Sequence, residues 1–511
     1  MPRALVSVWD KSGVEELARG LVELGWTIVS SGQTASYLAE HGIEVERVED
    51  VTGAPEMLGG RVKTLHPHIH GGILARRDND VDVATLAERG IEPIDLVCVS
   101  LYPFTSVAGK RGVAEADVVE MIDVGGPTML RAAAKNFAHV AAVSSPTQYA
   151  RVLDDVREHG EVTLETRREL ARAAFAESAA YEAAIAAWFG EDARFPERLT
   201  LSFRKVADLP YGENPHQEAA YYAEAGARRD LLSRIEQLGG KELSFNNLAD
   251  LEGARRVARE FELPCAVIVK HANPCGVALA PTIDEAWERA LAADPVSAFG
   301  CVAILNRAVG AELGRRIAEH FVEVLLAPGY DDEALAALRT KKALRILADA
   351  ERRADTPGEF DLKRVLGGLL VQDRDSGIDE RDAMEVACGS VTEEQWGDLL
   401  FAWRVCKHVS SNAIVIAHDL QTIGVGAGQM SRVDAVRIAV EKAREHGHDL
   451  AGAVLASDAF FPFPDGPQLA LDAGVAALVQ PGGSRNDSEV VDAVTASGAA
   501  MVFTGRRHFR H

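Results

Sequence analysis

The N-terminal third of the chain alternates short apolar strands with amphipathic helices, and this alternation restricts the fold more than any other feature. ALVSV is followed by VEELARGLVELG, TIVSS by ASYLAEHG, and IDLVCVSLYPF comes later. Such alternation builds a parallel sheet of βαβ units, whose ligands gather beyond the carboxyl ends of the strands. The polar residues just after each strand are therefore the first candidates for a site. At about 150 residues per domain, a chain of 511 residues is expected to hold about three domains.

Thr166 to Phe189 is rich in Ala, Arg and Glu and predicts one long helix, which the Gly and Pro of GEDARFPERL end. A domain boundary is expected near residue 196. A second alternating region begins near Leu199 with CAVIVKHANPCG and PVSAFGCVAIL, and a third holds NAIVIA, TIGVGAG, the helix DAVRIAVEKAREHG and AVLASDAFFPFPDG. The charged stretch from Arg339 to Arg364 lies between them and predicts two lobes divided near 340–375. ADPVSAFG and ASDAFFPF each close a strand-helix unit in a similar way, which hints that the lobes are related.

The formal net charge is −23, a field that repels phosphate backbones and anionic lipid unless basic residues cluster. Nucleic acid and membrane surfaces are therefore not expected partners. The start lacks an apolar core with a small-residue cleavage site, and no apolar run reaches the roughly 18 residues that span a bilayer. A cytoplasmic protein is the expectation. The six cysteines include no pair closer than ten residues, a spacing that fits buried thiols better than a zinc knuckle or a disulfide framework.

Three positive islands stand out. Residues 61–76, RVKTLHPHIHGGILAR, hold Arg61, Lys63, Arg76 and three histidines with no carboxylate, which suits an anionic ligand, although a solvated basic loop would read the same. His66, His68 and His70 alternate as metal ligands after a strand can, but no further ligand stands at a fitting spacing, so a structural or substrate-bonding role is preferred. The second island is Ile122 to Val140. There Gly-Gly and Pro127, taken as the first helical position, open a helix whose free amides can hold an anion, Asp123 stands at its entrance, and Arg131 and Lys135 share one face. A capped helix with two surface cations is the alternative. The third is Lys270-His271, at the end of the strand CAVIV and before an expected turn at ANPCG; an ammonium beside an imidazole favours a neutral histidine base and an oxyanion-stabilising lysine. Ala459 to Gly466, AFFPFPDG, reads as a Pro-stiffened aromatic loop able to stack on a heterocycle or to cover core, and the Gly-rich Val425 to Arg432 as a segment that binds an anion or merely turns the chain.

SVWDKSG, SSGQTA, GGRVKTLHPHIHGGILAR, SLYPF, DVGGPTMLRAAAKN, YGENPHQ, KHANPCG, SNAIVIA, GAGQMSR and SDAFFPF together resemble, in order and spacing, the PurH family of bifunctional purine biosynthesis proteins. The resemblance covers essentially the whole chain. It implies an α/β fold: an N-terminal methylglyoxal-synthase-like domain, residues 1–196, with IMP cyclohydrolase activity, then two cytidine-deaminase-like lobes, residues 197–511, with AICAR transformylase activity. The family transfers a formyl group from 10-formyltetrahydrofolate to AICAR and closes the product, FAICAR, to IMP. No zinc is implied, a structural potassium ion is left open, and the working form would be a homodimer.

Carried over by position, the resemblance gives Lys135 the role of cyclohydrolase proton donor and acceptor, assisted by Lys63, Tyr102 and Asp123. Asp10, Lys11, Ser31, Gly32, Gln33, Thr34, Arg61, Thr64 and Val124 would bind its nucleotide. In the transformylase, His271 would be the base, Lys270 would stabilise the tetrahedral intermediate, and Asn412 would hold the reacting groups. Tyr211, Gly300, Glu323 and Arg432 would bind AICAR, and Val433, Phe460, Asp465, Ser484, Arg485 and Arg507 the folate. Trp9, Gln33, Ser100 and Pro210 depart from residues common in the family, and the first two leave open a transformylase whose N-terminal domain only binds nucleotide.

Overall fold

The structure, a computed structural model, describes residues 1–110, 112–190, 193–225, 230–350 and 359–511. The chain forms two compact units, Met1–Arg204 with the segment from Tyr222, and Lys205–Tyr221 with the described residues from 230 onward.

In the first unit, β1 (Arg3–Val8), β2 (Thr27–Ser30), β3 (Glu46–Arg47), β4 (Leu96–Ser100) and β5 (Ala141–Val143) form a wholly parallel sheet in the order β3-β2-β1-β4-β5. Its central strands are nearly continuous apolar runs because helices cover both faces. Leu17, Leu21, Trp26 and Val152 pack on one face, and Ile69, Ile73, Met129 and Leu130 on the other. The long helix, Leu164–Phe189, begins two residues earlier than its Ala-rich stretch because the Thr163 hydroxyl caps it by accepting from the Thr166 amide.

Next in sequence come β6 (Phe203–Leu209), β7 (Ala219–Glu224), β8 (Glu236–Gly239), β9 (Cys265–Lys270), β10 (Asn273–Leu279), β11 (Cys301–Leu305), β12 (Val322–Ala327) and β13 (Arg345–Ala348). After a hairpin of β14 (Phe360–Val365) and β15 (Gly368–Asp373) follow β16 (Glu385–Cys388), β17 (Ile414–His418), β18 (Gln421–Gly426), β19 (Val454–Ser457), β20 (Ala477–Gln480) and β21 (Ala500–Phe503). The second unit's main sheet runs β8-β13-β12-β11-β9-β10-β18-β17-β19-β20-β21-β16. Its two halves have one strand order reflected about the β10/β18 junction, and each pairing keeps its sense, parallel or antiparallel, in both halves.

The halves meet in one sheet through hydrogen bonds: Val277 donates its amide to the Thr422 hydroxyl at 2.9 Å, and Leu279 donates to the Leu420 carbonyl at 2.9 Å. One face of the sheet carries a core common to both halves, with Leu251 and Val257 beside Trp396, Leu399 and Trp403. The opposite face carries two separate cores, one around Trp287 and one around Val436 and Phe461. Within the charged stretch expected to divide the lobes, 351–358 lies outside the described residues.

Three local expectations are corrected. ADPVSAFG and ASDAFFPF are not equivalent, because the first leads into β11 while the second leaves β19; the lobes are related through their strand order instead. ANPCG is not a turn but the start of β10, and the turn is His271-Ala272 itself. The HPHIH run opens the helix Pro67–Leu74, so its histidines do not share one face as they would on a strand.

Candidate active sites

In the first unit, the segments after β1, β2 and β4 meet at the carboxyl edge of the sheet. After β1, the Asp10 amide donates to the Ser100 hydroxyl at 3.0 Å. The Ser12 hydroxyl and amide both donate to the Asp10 carboxylate and hold its pKa below the ordinary value. Lys11 donates to the Thr34 hydroxyl at 3.1 Å and to the Val8 carbonyl, and burial lowers its pKa. Ser31 is the N-cap residue of the helix Gly32–Glu40, and both Ser31 and Thr34 are buried while Gln33 is exposed. Gly32 has φ +49°, and a Cβ there would fall 2.6 Å from Lys63 Nζ. The glycine thus lets the Lys63 ammonium reach the amide end of this helix, the end that favours an anion. A cleft of about 630 Å³ opens here, lined by Lys11, Gly32, Gln33, Tyr37, Arg47 and Glu56 among others.

Thr64 is buried with its hydroxyl against Gly125, the first residue of the helix Gly125–Lys135. Pro127 is therefore the third helical residue, not the first. Asp123 accepts from the Gly126 amide at 2.9 Å, and its own amide donates to the Tyr181 hydroxyl at 2.8 Å. Burial raises the pKa of Asp123, and burial together with the Asp123 charge raises that of Tyr102. Tyr102 lies beside Trp9, ring centroids 5.2 Å apart, while Val124 is exposed.

The carboxylate-free island is not free of carboxylates in space. Arg61 pairs with Glu120, Lys63 Nζ lies 4.0 Å from Glu56, and Arg76 is held by both oxygens of Asp82. Arg76 is thereby paired at the surface. Of the histidines, His66 accepts from the His68 amide, the His68 ring lies 3.0 Å from the Val51 carbonyl, and burial lowers the pKa of His70. Among the described residues there is no group of three or more His, Cys, Asp or Glu side chains placed to hold a metal ion. Lys135 closes the helix that Gly125 opens, so at 1.5 Å per residue it stands about 15 Å along the axis from the Asp123 end.

In the second unit, Lys270 ends β9 and donates to the carbonyls of Gly300 at 2.7 Å and Phe299 at 3.0 Å. An ammonium has three N–H donors, so one remains for a ligand. Gly300 has φ +70°, and a Cβ there would come within 3.1 Å of both Lys270 Nζ and the Phe321 ring. Phe299 and Phe321 lie with ring centroids 5.0 Å apart, tilted to each other, and are exposed beside it. His271 and Ala272 adopt φ of 52° and 60°, and Asp250 accepts the Ala272 amide at 2.5 Å. The equivalent turn between β17 and β18, Asp419-Leu420, has φ of 50° and 57° and is held by Asp398 in the same way.

Glu323 accepts from Asn247 at 3.0 Å, and the neighbouring Asn246 donates to the Glu213 carbonyl in the loop that bears Tyr211. Asn412 donates to the Gln429 carbonyl at 2.8 Å and accepts from Arg432 at 2.7 Å. Arg432 is buried, bonded also to Ser457 and Asp458, so its guanidinium orients Asn412. Val433, next to it, is half-buried. The loops after the parallel strands β19, β20 and β21 carry Phe460, Ser484, Arg485 and Arg507, and Asp465 opens the helix Asp465–Asp472. Asn486 ties the second loop to the first through the Pro462 carbonyl at 2.7 Å. Of the three phenylalanines in AFFPFPDG, Phe461 is core while Phe460 and Phe463 are exposed.

Sequence reasoning missed Asp250, Phe321 and Arg510. The repeat carried a signal for the first, since DL recurs in Asp250-Leu251 and Asp398-Leu399 at matching places on helices Phe245–Arg259 and Glu393–Cys406.

The model of the AICARFT/IMPCHase bienzyme family matches residues 133–442, and that of the MGS-like domain matches residues 13–128. The bifunctional purine biosynthesis protein PurH of Magnetococcus marinus is 50% identical over 527 aligned positions, covering 100% of this chain and 99% of the relative. PurH of Bacillus mycoides is 47% identical over 514, with the same coverage. Among solved structures, the crystal structure of ForH is 44% identical and covers 37% of this chain and 99% of its own, with a TM-score of 0.34.

Proposed function

The chain belongs to the PurH family of bifunctional purine biosynthesis enzymes, AICAR transformylase and IMP cyclohydrolase, and from that membership we propose which of its residues perform the two reactions. Formyl transfer belongs to the second unit and cyclisation to the first. The observation that carries the assignment is the Lys270-His271 pair at the head of β9, with the lysine anchored beside Gly300.

In formyl transfer, the AICAR amine attacks the formyl carbon of 10-formyltetrahydrofolate. His271 takes the proton that the amine loses, and the free N–H of Lys270 faces the oxygen on which charge develops. Collapse of the tetrahedral intermediate breaks the bond to the folate nitrogen, which leaves with a proton. Phe299 and Phe321 offer an apolar wall to the imidazole ring. Tyr211, Gly300 and Glu323 are proposed to bind AICAR, and Val433, Phe460, Asp465, Ser484, Arg485 and Arg507 the folate.

In cyclisation, the carboxamide nitrogen of FAICAR attacks the formyl carbonyl, and the oxygen leaves as water after gaining two protons. Asp123 and Tyr102, both held toward their neutral forms by burial, are suited to give and take those protons. Lys63 at the amide end of Gly32–Glu40, with Lys11, Ser31 and Thr34, would hold the phosphate. Lys135 ends the helix that Asp123 precedes, and its proton-transfer role rests on the resemblance. The cytoplasm and a homodimeric working form belong to the same proposal; no helix among the described residues is long and apolar enough to cross a membrane.

The test supplies each reaction separately: AICAR with 10-formyltetrahydrofolate, and FAICAR without folate. Loss of only the first in His271→Ala supports the division. Loss of both from folded protein would reject it.

A further inference from the structure

The chain's penultimate residue reaches the turn that carries His271. Arg510 donates from one guanidinium nitrogen to the Ala272 carbonyl at 3.0 Å and to the His408 carbonyl. Its main chain is paired with Ser411: the Arg510 amide donates to the Ser411 hydroxyl at 3.0 Å, and the Ser411 amide to the Arg510 carbonyl at 2.9 Å. Ser411 adjoins Asn412. His408 is anchored in turn, its ring 2.8 Å from the Glu260 carboxylate. The guanidinium is largely buried, which lowers its pKa. A guanidinium stays charged far above neutral pH, so the donor is present wherever the enzyme works.

The turn needs such a clamp. His271 and Ala272 both sit in the left-handed region, which is unfavourable for a residue with a Cβ. Asp250 holds the turn by its amide side, and Arg510 grips the carbonyl side. The pair of bonds from Arg510 also fixes the distance between the His271 turn, in the first half of the sheet, and the 408–412 segment, in the second. We propose that Arg510 is a positioning residue for formyl transfer, setting the His271 imidazole in register with Asn412 through the Ala272 and His408 carbonyls. It touches no reacting atom in this account, and the inference rests on the roles given to His271 and Asn412.

Arg510→Ala, Arg510→Lys and His271→Ala are compared in the full-length enzyme. Because a misplacement of about 1 Å can cost about 100-fold in rate, Arg510→Ala is expected to lower the transformylase kcat by about 10- to 100-fold. The AICAR KM and the rate of FAICAR cyclisation should stay near those of the wild type. Arg510→Lys, which keeps one donor, should fall between, and added guanidinium ion at low millimolar concentration should restore part of the kcat of Arg510→Ala. An unchanged kcat overturns the inference, as does a loss that moves KM in parallel or that neither guanidinium nor lysine relieves. If Arg510→Ala does not fold, judged by its melting curve, the same kcat-against-KM split is read on Arg510→Lys. Formyl transfer surviving in His271→Ala would instead remove the reading on which the inference stands.

Discussion

The Asp250 carboxylate accepts the Ala272 amide at 2.5 Å, one residue beyond His271. Burial raises its pKa, so the bond weakens on acidification sooner than for an exposed carboxylate. Asp250→Ala is expected to reduce formyl transfer at least about tenfold, on the same positioning argument, and to leave cyclisation intact. Asp250→Asn retains an acceptor oxygen and should lose less. Its rate should no longer fall with the acid limb that Asp250 contributes, which a pH profile of kcat carried down into the carboxylate range reads.

Gly300 is the close neighbour of Lys270. Gly300→Ala would place a methyl group 3.1 Å from the ammonium and from the Phe321 ring, on a backbone of φ +70°. A cost of about 1–2 kcal/mol from the left-handed backbone alone should appear as a lower melting temperature. Displacement of the ammonium should lower formyl transfer further than stability, which steady-state kinetics measured well below the melting point would separate.

Lys63 and Lys135 of the first unit are placed differently. Lys63 lies at the amide end of Gly32–Glu40, whereas Lys135 stands about 15 Å from the Asp123 end of its helix. Lys63→Ala is expected to raise the FAICAR KM by about tenfold or more, the value of one charge-assisted contact at about 1.5–3 kcal/mol. Lys135→Ala abolishes cyclisation if the role implied by the family holds. Turnover of FAICAR near the wild-type rate in Lys135→Ala would give proton transfer to the Asp123 and Tyr102 cluster alone.

His508 is buried between Asp375 and Asp379, its ring nitrogens 2.6 and 2.7 Å from their carboxylates. Burial by itself would lower its pKa, but the two carboxylates win and raise it above 6.5. A raised histidine stabilises the fold fully below its unfolded value near 6.5 and loses that contribution as pH rises through the folded value. The melting-temperature difference between wild type and His508→Gln should therefore be largest at about pH 6 and shrink above it. A difference that grows with pH would show that the imidazolium is not the stabilising form.

Much of the fold was legible because apolar runs and helical periods are local. β1, β2 and β4 of the first unit, the long helix to Phe189, and β9, β11, β17 and β19 of the second lie where alternation puts them. Lys270-His271 was legible as a strand end. The relation between the lobes was visible only as a hint, and through the wrong pair of segments, because strand order is a property of pairing and not of sequence likeness. The charge islands misled in one respect: Glu120, Glu56 and Asp82 stand beside Arg61, Lys63 and Arg76 from outside the segment. Arg510 was invisible for the same reason, acting on Ala272 from 238 residues away, and Asp250, 22 residues away, showed only through the repeated Asp-Leu.

The central claim is that one chain carries two independent centres. Its most direct test follows tetrahydrofolate and IMP separately in purified His271→Ala. Given AICAR and 10-formyltetrahydrofolate, the variant should release neither product, and given FAICAR alone it should release IMP at the wild-type rate. Tetrahydrofolate released at the wild-type rate, or FAICAR left unconverted by a folded variant, would contradict the account.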